Sequence, residues 1–324
     1  MAKGSKFVAE KVNVRDEVTN AIIAQLEQGV SPWSKPWSAK GGVGGFPAHL
    51  PLRHNGQRYR GINVLILWNA MMQRGYHQPR FMTYNQAVAL GGNVRKGEKA
   101  TKVVYSGAFQ KEVEKNGETT EQRIPYMKNF SVFNVEQIDG LAEEYFIQPP
   151  VDASEQPVIK GPEEIAHVRD FFAAIGVKVN HGGDRAFFMP SQDRIQMPEL
   201  KSFNDSVSYY ATLAHEHIHW TGTKDRCERK FGARFADQDY AAEELVAELG
   251  AAFLCAELGL TLEPRADHAQ YLANWLKVLK ANNNAIFTAA SMAQKACDFI
   301  NKAAKGEDVP VAEGEEGDDL SMAA

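Results

Sequence analysis

Two histidines and neighbouring carboxylates carry the chemistry that this sequence suggests. The stretch His215-Glu216-His217-Ile218-His219 contains the pattern His-Glu-x-x-His. Residues four apart lie on one face of an α-helix, so His215 and His219 can bind one metal ion while Glu216 reaches toward a water on that ion. A zinc ion at such a site lowers the pKa of its water to roughly 7, and a nearby carboxylate takes the proton. The sequence therefore predicts a zinc site, with another divalent metal as the alternative, and Glu216 as general base.

A second helix is expected to supply the third protein ligand. Residues 241–254 are mostly apolar with helical periodicity, and Glu244 and Glu248 lie one turn apart on one face. Carboxylates on a buried face are costly unless a metal ion or hydrogen-bond donors compensate them. Glu244 is the preferred ligand and Glu248 is expected to orient a ligand, while Glu248 or Glu243 as the ligand stays open.

Both motifs have a plainer interpretation. The first could be a core helix with a histidine cluster, and the second could be a carboxylate pair on a solvated face. His217, between the two expected ligands, points elsewhere on a helix and is expected to be structural or to support the site.

Charge is distributed unevenly along the chain. Residues 1–150 hold 19 Lys and Arg against 13 Asp and Glu, which is +6, and residues 151–324 hold 17 against 28, which is −11. A basic half favours a polyanionic partner such as nucleic acid. The chain has three widely spaced cysteines, so no disulfide framework is indicated.

Basic side chains alternate with aromatic ones in the expected loops of the first half. Such loops suit single-stranded DNA, because backbone charge and base faces are present on every nucleotide. Solvated turns and a lid over the core are the competing explanations. The candidate DNA-binding residues are Trp33, Lys35, Trp37, Arg58, Tyr59, Arg60, Arg95, Lys96 and Lys99.

The order of the expected elements predicts an α+β fold in two domains. A binding domain is expected over residues 1–148, a proline-rich linker over 149–158, a zincin-like metal domain over 159–306 and an acidic, disordered tail over 307–324. Helices are expected over 12–28, 62–72, 162–175, 266–280 and 285–305, and Thr83 is expected to cap a helix that Gly91-Gly92 ends. Strands are expected over 101–105, 126–135, 177–179, 185–190 and 194–197, with residues 110–123 as an exposed hairpin tip or a mobile loop.

No apolar run of membrane-spanning length and no amino-terminal signal pattern is present in the sequence. The protein is therefore expected in the cytoplasm, without a membrane partner.

Several motifs resemble those of a known family. These are 209–222 around the His-Glu-x-x-His pattern, Phe231-Gly232, 243–250, Pro32-Trp33, Pro36-Trp37, 59–63, Thr83-Tyr84, 91–98 and 132–137. Together they resemble ArdC-type plasmid antirestriction proteins, whose amino-terminal domain is shared with TraC-type conjugation primases. The resemblance covers nearly the whole chain except the acidic tail. His217 departs from it, since an apolar residue often occupies that position.

The resemblance implies a single-stranded-DNA-binding domain joined to a zinc-peptidase-like domain. Such a protein would shield incoming conjugative or phage DNA from host restriction, and it could travel to a recipient cell during conjugation. A protein substrate or a host restriction enzyme is then a further partner to consider. Two alternatives stay open, which are a DNA-binding shield whose metal is structural and a primase accessory protein without hydrolytic action.

Overall fold

The computed structural model describes residues 14–29, 33, 49–115, 118–147, 163–230, 238–260 and 268–307, and it has an α+β fold. Among these residues, no helix combines the length and the apolar character needed to cross a lipid bilayer. The helices are α1 (Val14–Glu27), α2 (Ile62–Arg74), α3 (Tyr84–Ala89), α4 (Ala166–Ile175), α5 (Ser206–Thr221), α6 (Gln238–Glu257), α7 (His268–Ala281) and α8 (Ala285–Ala304). The strands are β1 (Phe81–Thr83), β2 (Asn93–Val94), β3 (Thr101–Lys115), β4 (Glu118–Asn134), β5 (Ile138–Asp139), β6 (Lys178–His181), β7 (Phe187–Met189) and β8 (Arg194–Met197).

The first half is built around one long antiparallel hairpin. Strands β3 and β4 pair along their whole length, and β1 adds to β4 at the base, which gives the order β1-β4-β3. Thr83 ends β1 and caps α3, because its hydroxyl accepts the Gln86 amide and the Gln86 side chain accepts the Thr83 amide. The predicted cap at Thr83 is therefore confirmed.

The hairpin is longer than its sequence pattern indicated. Strands expected only over 101–105 and 126–135 continue through most of 110–123, so that region is the outer part of a hairpin, as one of the two alternatives predicted, and not a loop. The polar composition of this region did not indicate the strands, because backbone hydrogen bonds between two strands need no alternation of apolar residues.

The second half stacks helices beside a small mixed sheet. Strand β8 lies in the middle of this sheet, parallel to β6 and antiparallel to β7, and both β7 and β8 contact α5. Asp205 begins α5 by accepting the Ser208 amide at 2.7 Å. Almost every residue of α5 is buried, because α6 and α8 cover it as well as the sheet.

The two halves share one apolar core. The Trp33 ring packs edge-on against Trp275, with centroids 5.6 Å apart, and Trp68 packs against Phe253 at 5.9 Å. Polar contacts reinforce this junction, since the Gly61 amide donates to the Gln294 side chain. The segment predicted as a linker lies outside the described residues, as does the tail from residue 308 onward. Whatever path the connecting segment takes, the two halves are packed together.

Candidate metal centre

Helices α5 and α6 carry the predicted ligands and cross closely enough for them to meet. Gly250 of α6 permits this approach, because a Cβ there would lie 2.7 Å from Cδ1 and 2.8 Å from Cγ1 of Ile218. Ile218 lies one residue before His219 on α5. The glycine therefore sets the spacing between the helix of the histidines and the helix of the carboxylates.

Three of the predicted residues converge on one point. The Nε2 atoms of His215 and His219 are 3.0 Å apart, and Glu244 oxygens lie 3.6 Å from Nε2 of His215 and 3.5 Å from Nε2 of His219. One ligand atom from each side chain can be chosen so that all three lie within 4.8 Å of one another. His215 and Glu244 are buried and the His219 side chain is 12 % exposed, so the cluster lies in the core and is not a solvated charge pair.

Glu243 fixes the orientation of one of these histidines. A carboxylate can only accept, so Nδ1–H of His219 donates to Oε1 of Glu243 at 3.1 Å. This bond directs Nε2 of His219 toward His215 and Glu244. Hydrogen bonding of this kind to a ligand histidine fixes its tautomer and ring angle.

Arg229 in turn fixes Glu243. Its Nε and Nη2 atoms each donate to one Glu243 oxygen at 2.9 Å, and it also donates to Thr221 and to the Ile218 carbonyl. The Arg229 side chain is only 3 % exposed, so this two-point ion pair is shielded from water. Glu243 therefore faces Arg229 and Nδ1 of His219, whereas a Glu244 oxygen faces Nε2 of His219.

The structure places Glu248 and His217 as follows. A Glu248 oxygen lies 3.5 Å from Nδ1 of His215, without a hydrogen bond between the two atoms. His217 points away from the cluster, its ring lies 4.7 Å from the Phe172 ring, and its Nδ1 donates to the Leu213 carbonyl. His217 is therefore part of the helix packing.

Burial and neighbouring charges together determine the protonation states of the side chains at the site. Burial alone would lower the pKa of His219, but Glu243 and Glu244 outweigh it and raise that pKa to about 10. Burial would raise the pKa of Glu244, but contacts with both histidines hold it far below the ordinary value. Burial lowers the pKa of His217 to about 4, so this ring is neutral.

Sequence reasoning missed Glu243 and Arg229 as a pair. The sequence offers Glu243 only as an alternative ligand. Arg229, which holds Glu243, lies in the turn after α5. Arg229 and Glu243 lie 14 residues apart, and only Glu243 belongs to a helix, so helical periodicity does not relate the two residues. Only the crowding of three acidic residues over 243–248 pointed to a supporting group.

The predicted DNA-binding residues that the structure describes divide between the core and the surface. Trp33 and Tyr59 are 1 % and 3 % exposed, so the prediction that they stack on bases is wrong for the folded chain. Both rings are drawn into the shared core, whose apolar burial outweighs exposure in a loop. Lys35 and Trp37 lie outside the described residues.

The arginines predicted to bind DNA are exposed, but each of them forms an ion pair with an acidic side chain. Arg58 pairs with Glu257 at 3.1 Å and Arg60 pairs with Asp298, so both reach across to the second half. Arg95 pairs with Glu98 and Asp139. Lys96 and Lys99, the two described lysines predicted to bind DNA, are exposed.

The fold and the site together define a zincin-like protein, in which a His-Glu-x-x-His helix meets an acidic helix. Residues 166–292 match a family model described as a zincin-like metallopeptidase, and residues 12–133 match the N-terminal domain of anti-restriction factor ArdC. The chain belongs to the ArdC family of antirestriction proteins, as its resemblance predicted.

Solved structures and relatives agree with this assignment. The metal-free crystal structure of the antirestriction ArdC protein from plasmid R388 is 40 % identical, with a TM-score of 0.76 over 92 % of this chain and 100 % of that one. Its Mn(II)-bound structure is 39 % identical, with a TM-score of 0.71 over 90 % and 98 %. Protein y4eC of Sinorhizobium fredii is 37 % identical over 89 % of this chain and 92 % of its own length. A DNA primase TraC of Escherichia coli is 38 % identical over 88 % of this chain, which spans only 27 % of the primase.

Proposed function

We propose that this chain binds single-stranded DNA, protects incoming plasmid or phage DNA from host restriction, and carries a metal-dependent peptidase-like site. One observation carries the metal part, which is the convergence of His215, His219 and Glu244 within 4.8 Å beside Glu216. Membership of the ArdC family supports the antirestriction part. Similarity to a DNA primase supports a DNA partner.

The residues of the cluster fit a divalent metal ion. Ligand atoms about 2.0–2.2 Å from a tetrahedral ion lie roughly 3.3–3.6 Å apart, and the closest atoms here are 3.0–3.6 Å apart. Two imidazole nitrogens and a carboxylate oxygen suit Zn²⁺, and Mn²⁺ is a reasonable alternative because the R388 relative binds it. His215, His219 and Glu244 would hold the ion.

The chain's own side chains have distinct tasks in peptide hydrolysis. A bound divalent ion would act as a Lewis acid toward a peptide carbonyl and would acidify water. Glu216, which is buried next to His215, takes a proton from the attacking water and returns it to the leaving amine. Glu243 keeps His219 in the tautomer that presents Nε2 to the ion.

A place for an extended peptide lies beside the metal helix. Strand β7 is an edge strand of its sheet among the described residues, and it contacts α5. Edge strands carry backbone groups that can pair with an added strand, which is a common way to bind an extended peptide. This arrangement favours an unfolded or loop-like protein segment as substrate.

The alternative is a DNA-binding shield whose metal is structural. The buried position of the cluster and the hydrogen bonds from Arg229 to Glu243 favour a structural metal, since the ligands of structural metal sites are usually fixed by surrounding side chains. The two readings differ in the role of Glu216, which is not a ligand in either one.

Glu216→Gln separates the two readings. Elemental analysis should find the same metal content in the wild type and Glu216→Gln, and less in His215→Ala. Hydrolysis of labelled casein should fall by about 10²–10⁴-fold in Glu216→Gln if this carboxylate is the general base. Transfer of unmodified plasmid DNA into a restricting host then reports protection. Undiminished protection by Glu216→Gln would exclude hydrolysis from the antirestriction function.

The DNA-binding part has a separate test. Binding to a labelled oligothymidylate should weaken steeply as salt increases, because basic side chains displace counterions from the phosphates. A flat dependence on salt, or a preference for duplex DNA, would contradict single-strand binding by the first half.

A further inference from the structure

The outer part of the β3–β4 hairpin is a two-stranded ribbon. Strand β1 pairs only with residues 132–134 of β4, so beyond that point each strand has one open edge among the described residues. Cross-strand register places Tyr105 opposite Lys128 and Gly107 opposite Tyr126. Directly paired residues of antiparallel strands share a face, so these side chains all lie on the same side of the ribbon.

Four aromatic rings form a continuous row on this side. The Phe130 and Tyr105 centroids are 6.4 Å apart, those of Tyr105 and Tyr126 are 5.9 Å apart, and those of Tyr126 and Phe109 are 6.2 Å apart. Phe130 packs against the core, whereas Phe109 at the other end is 49 % exposed. The row therefore runs from the core into solvent. We call the surface formed by Tyr105, Phe109, Tyr126, Lys128 and Phe130 the ribbon face.

A glycine gives one of these rings its position. A Cβ at Gly107 would lie 2.7 Å from Cζ and Oη of Tyr126. The Tyr126 ring therefore lies across the backbone of the opposite strand, where only glycine leaves room for it. This placement joins Tyr105 and Phe109 into one row.

The charge on this part of the ribbon suits a polyanion. Residues 101–110 and 124–134 contain no aspartate or glutamate, and of their two lysines Lys128 lies on the aromatic side, whereas Lys102 lies on the other side and pairs with Glu17. The Lys128 ammonium lies 5.3 Å from the centroid of Tyr126, so a positive charge stands directly beside the aromatic row. The first 150 residues carry a net charge of +6 in the sequence.

We propose that the ribbon face is the surface on which bases of single-stranded DNA stack, with Lys128 contacting a phosphate. A row of half-buried aromatic rings that ends in the exposed Phe109 beside a lysine can stack with unpaired bases without regard to sequence, because every base has a π-face. The inference rests on the proposed DNA-binding function and assigns that function to the hairpin. It replaces the buried rings of Trp33 and Tyr59 with rings that reach solvent.

Single substitutions on the ribbon face test this assignment. Phe109→Ala and Tyr126→Ala should each weaken oligothymidylate binding roughly 5-fold to 100-fold, measured by fluorescence anisotropy at fixed salt. Lys128→Ala should reduce the slope of log affinity against log salt by about one phosphate contact. Tyr84→Ala is the matched control, since it removes an exposed ring of α3 in the same half but outside the ribbon face, and it should bind like the wild type.

Gly107→Ala tests the geometry without removing a ring. The added methyl group displaces the Tyr126 ring, so binding should weaken although the aromatic composition is unchanged. Unchanged metal content and far-ultraviolet circular dichroism verify that each variant is folded.

The outcomes separate this inference from the function on which it rests. If the wild type does not bind the oligonucleotide at low salt, the DNA-binding function itself fails. If the wild type binds and the ribbon variants bind equally well, the ribbon face is not the DNA surface, and a protein partner becomes the better explanation for it.

Discussion

At the scale of single residues, the site depends on an ion pair that touches no ligand atom directly. Arg229 holds both oxygens of Glu243, and Glu243 holds Nδ1 of His219. Both partners of the pair are almost fully buried. A buried pair of this kind is costly to break, because the remaining charge has no partner and no water.

Arg229→Lys tests whether this pair positions His219. Lysine keeps the charge but cannot donate two parallel hydrogen bonds, so Glu243 should lose its fixed angle. The expected result is a loss of Mn²⁺ or Zn²⁺ affinity of about 10–100-fold, measured by isothermal titration calorimetry. Arg229→Ala should in addition lower the free energy of unfolding by roughly 3–5 kcal/mol. A loss of stability with unchanged metal affinity in both variants would show that the pair is only structural.

Metal binding should release a proton from His219. Without a bound metal, its pKa is raised to about 10, so the ring is protonated near neutral pH and must lose a proton to bind an ion. Between roughly pH 7 and 8, about one proton should be released for each metal ion bound. The metal affinity should therefore increase about tenfold for each unit by which the pH is raised, up to about pH 10. Calorimetry in buffers of different ionisation enthalpy measures this number.

His217 supplies the control for that measurement. Its pKa is lowered to about 4, so it is already neutral and contributes no proton. His217→Leu should therefore release the same number of protons as the wild type. Binding without proton release in the wild type would contradict the protonated state of His219.

Spacing predicted which residues cluster better than it predicted the residues that hold them in place. His215, Glu216, His219 and Glu244 follow from the periodicity of two helices, which the sequence displays directly. Arg229 could not be found this way, because its position depends on how the turn after α5 folds back. Trp33 was predicted either to stack on bases or to cover the core, and its burial agrees with the second; a tryptophan among glycines and prolines has the same local pattern in both cases.

At the scale of elements, the approach of α5 to α6 depends on one glycine. Gly250→Ala would gain about 1 kcal/mol of helix propensity but would force a methyl group against Ile218. Ile218 is β-branched and cannot turn aside easily, so overpacking should cost about 1–3 kcal/mol. Thermal unfolding should show a net loss of stability, and the metal affinity should fall as the helices separate.

An Ile218→Ala background separates contact from propensity. The colliding atoms are then absent, so Gly250→Ala should no longer destabilise and should show its helix-propensity gain. A double-mutant cycle measures this coupling. Equal effects of Gly250→Ala in both backgrounds would mean that Ile218 does not limit the helix spacing.

Element ends marked by side-chain chemistry were predictable, and element lengths were not. Thr83 was recognised as a cap because its hydroxyl and Gln86 form a local pair that needs no other part of the fold. The β3–β4 hairpin exceeded its prediction because its outer pairing is held by backbone hydrogen bonds and by cross-strand rings such as Tyr105 and Tyr126. These rings lie 21 residues apart, at a distance that local patterns do not relate.

At the scale of the whole molecule, the two halves behave as one packed body. Trp33 contacts Trp275, Trp68 contacts Phe253, and two arginines of the first half pair with acids of the second. The basic and acidic halves therefore meet through both charge and apolar burial. The metal site and the hairpin are attached to the same core.

Metal binding should consequently stabilise the first half as well as the second. A free metal concentration of 100 times the Kd adds about 2.7 kcal/mol to the free energy of unfolding of the part of the protein that unfolds cooperatively with the site. Because one core joins the halves, slow hydrogen exchange should be further slowed in α2 as well as in α5 and α6, and calorimetry should show one unfolding transition. His215→Ala, which lacks a ligand, should show neither change on addition of metal. Protection confined to the second half, or two separate transitions, would mean that the halves unfold independently in spite of their shared core.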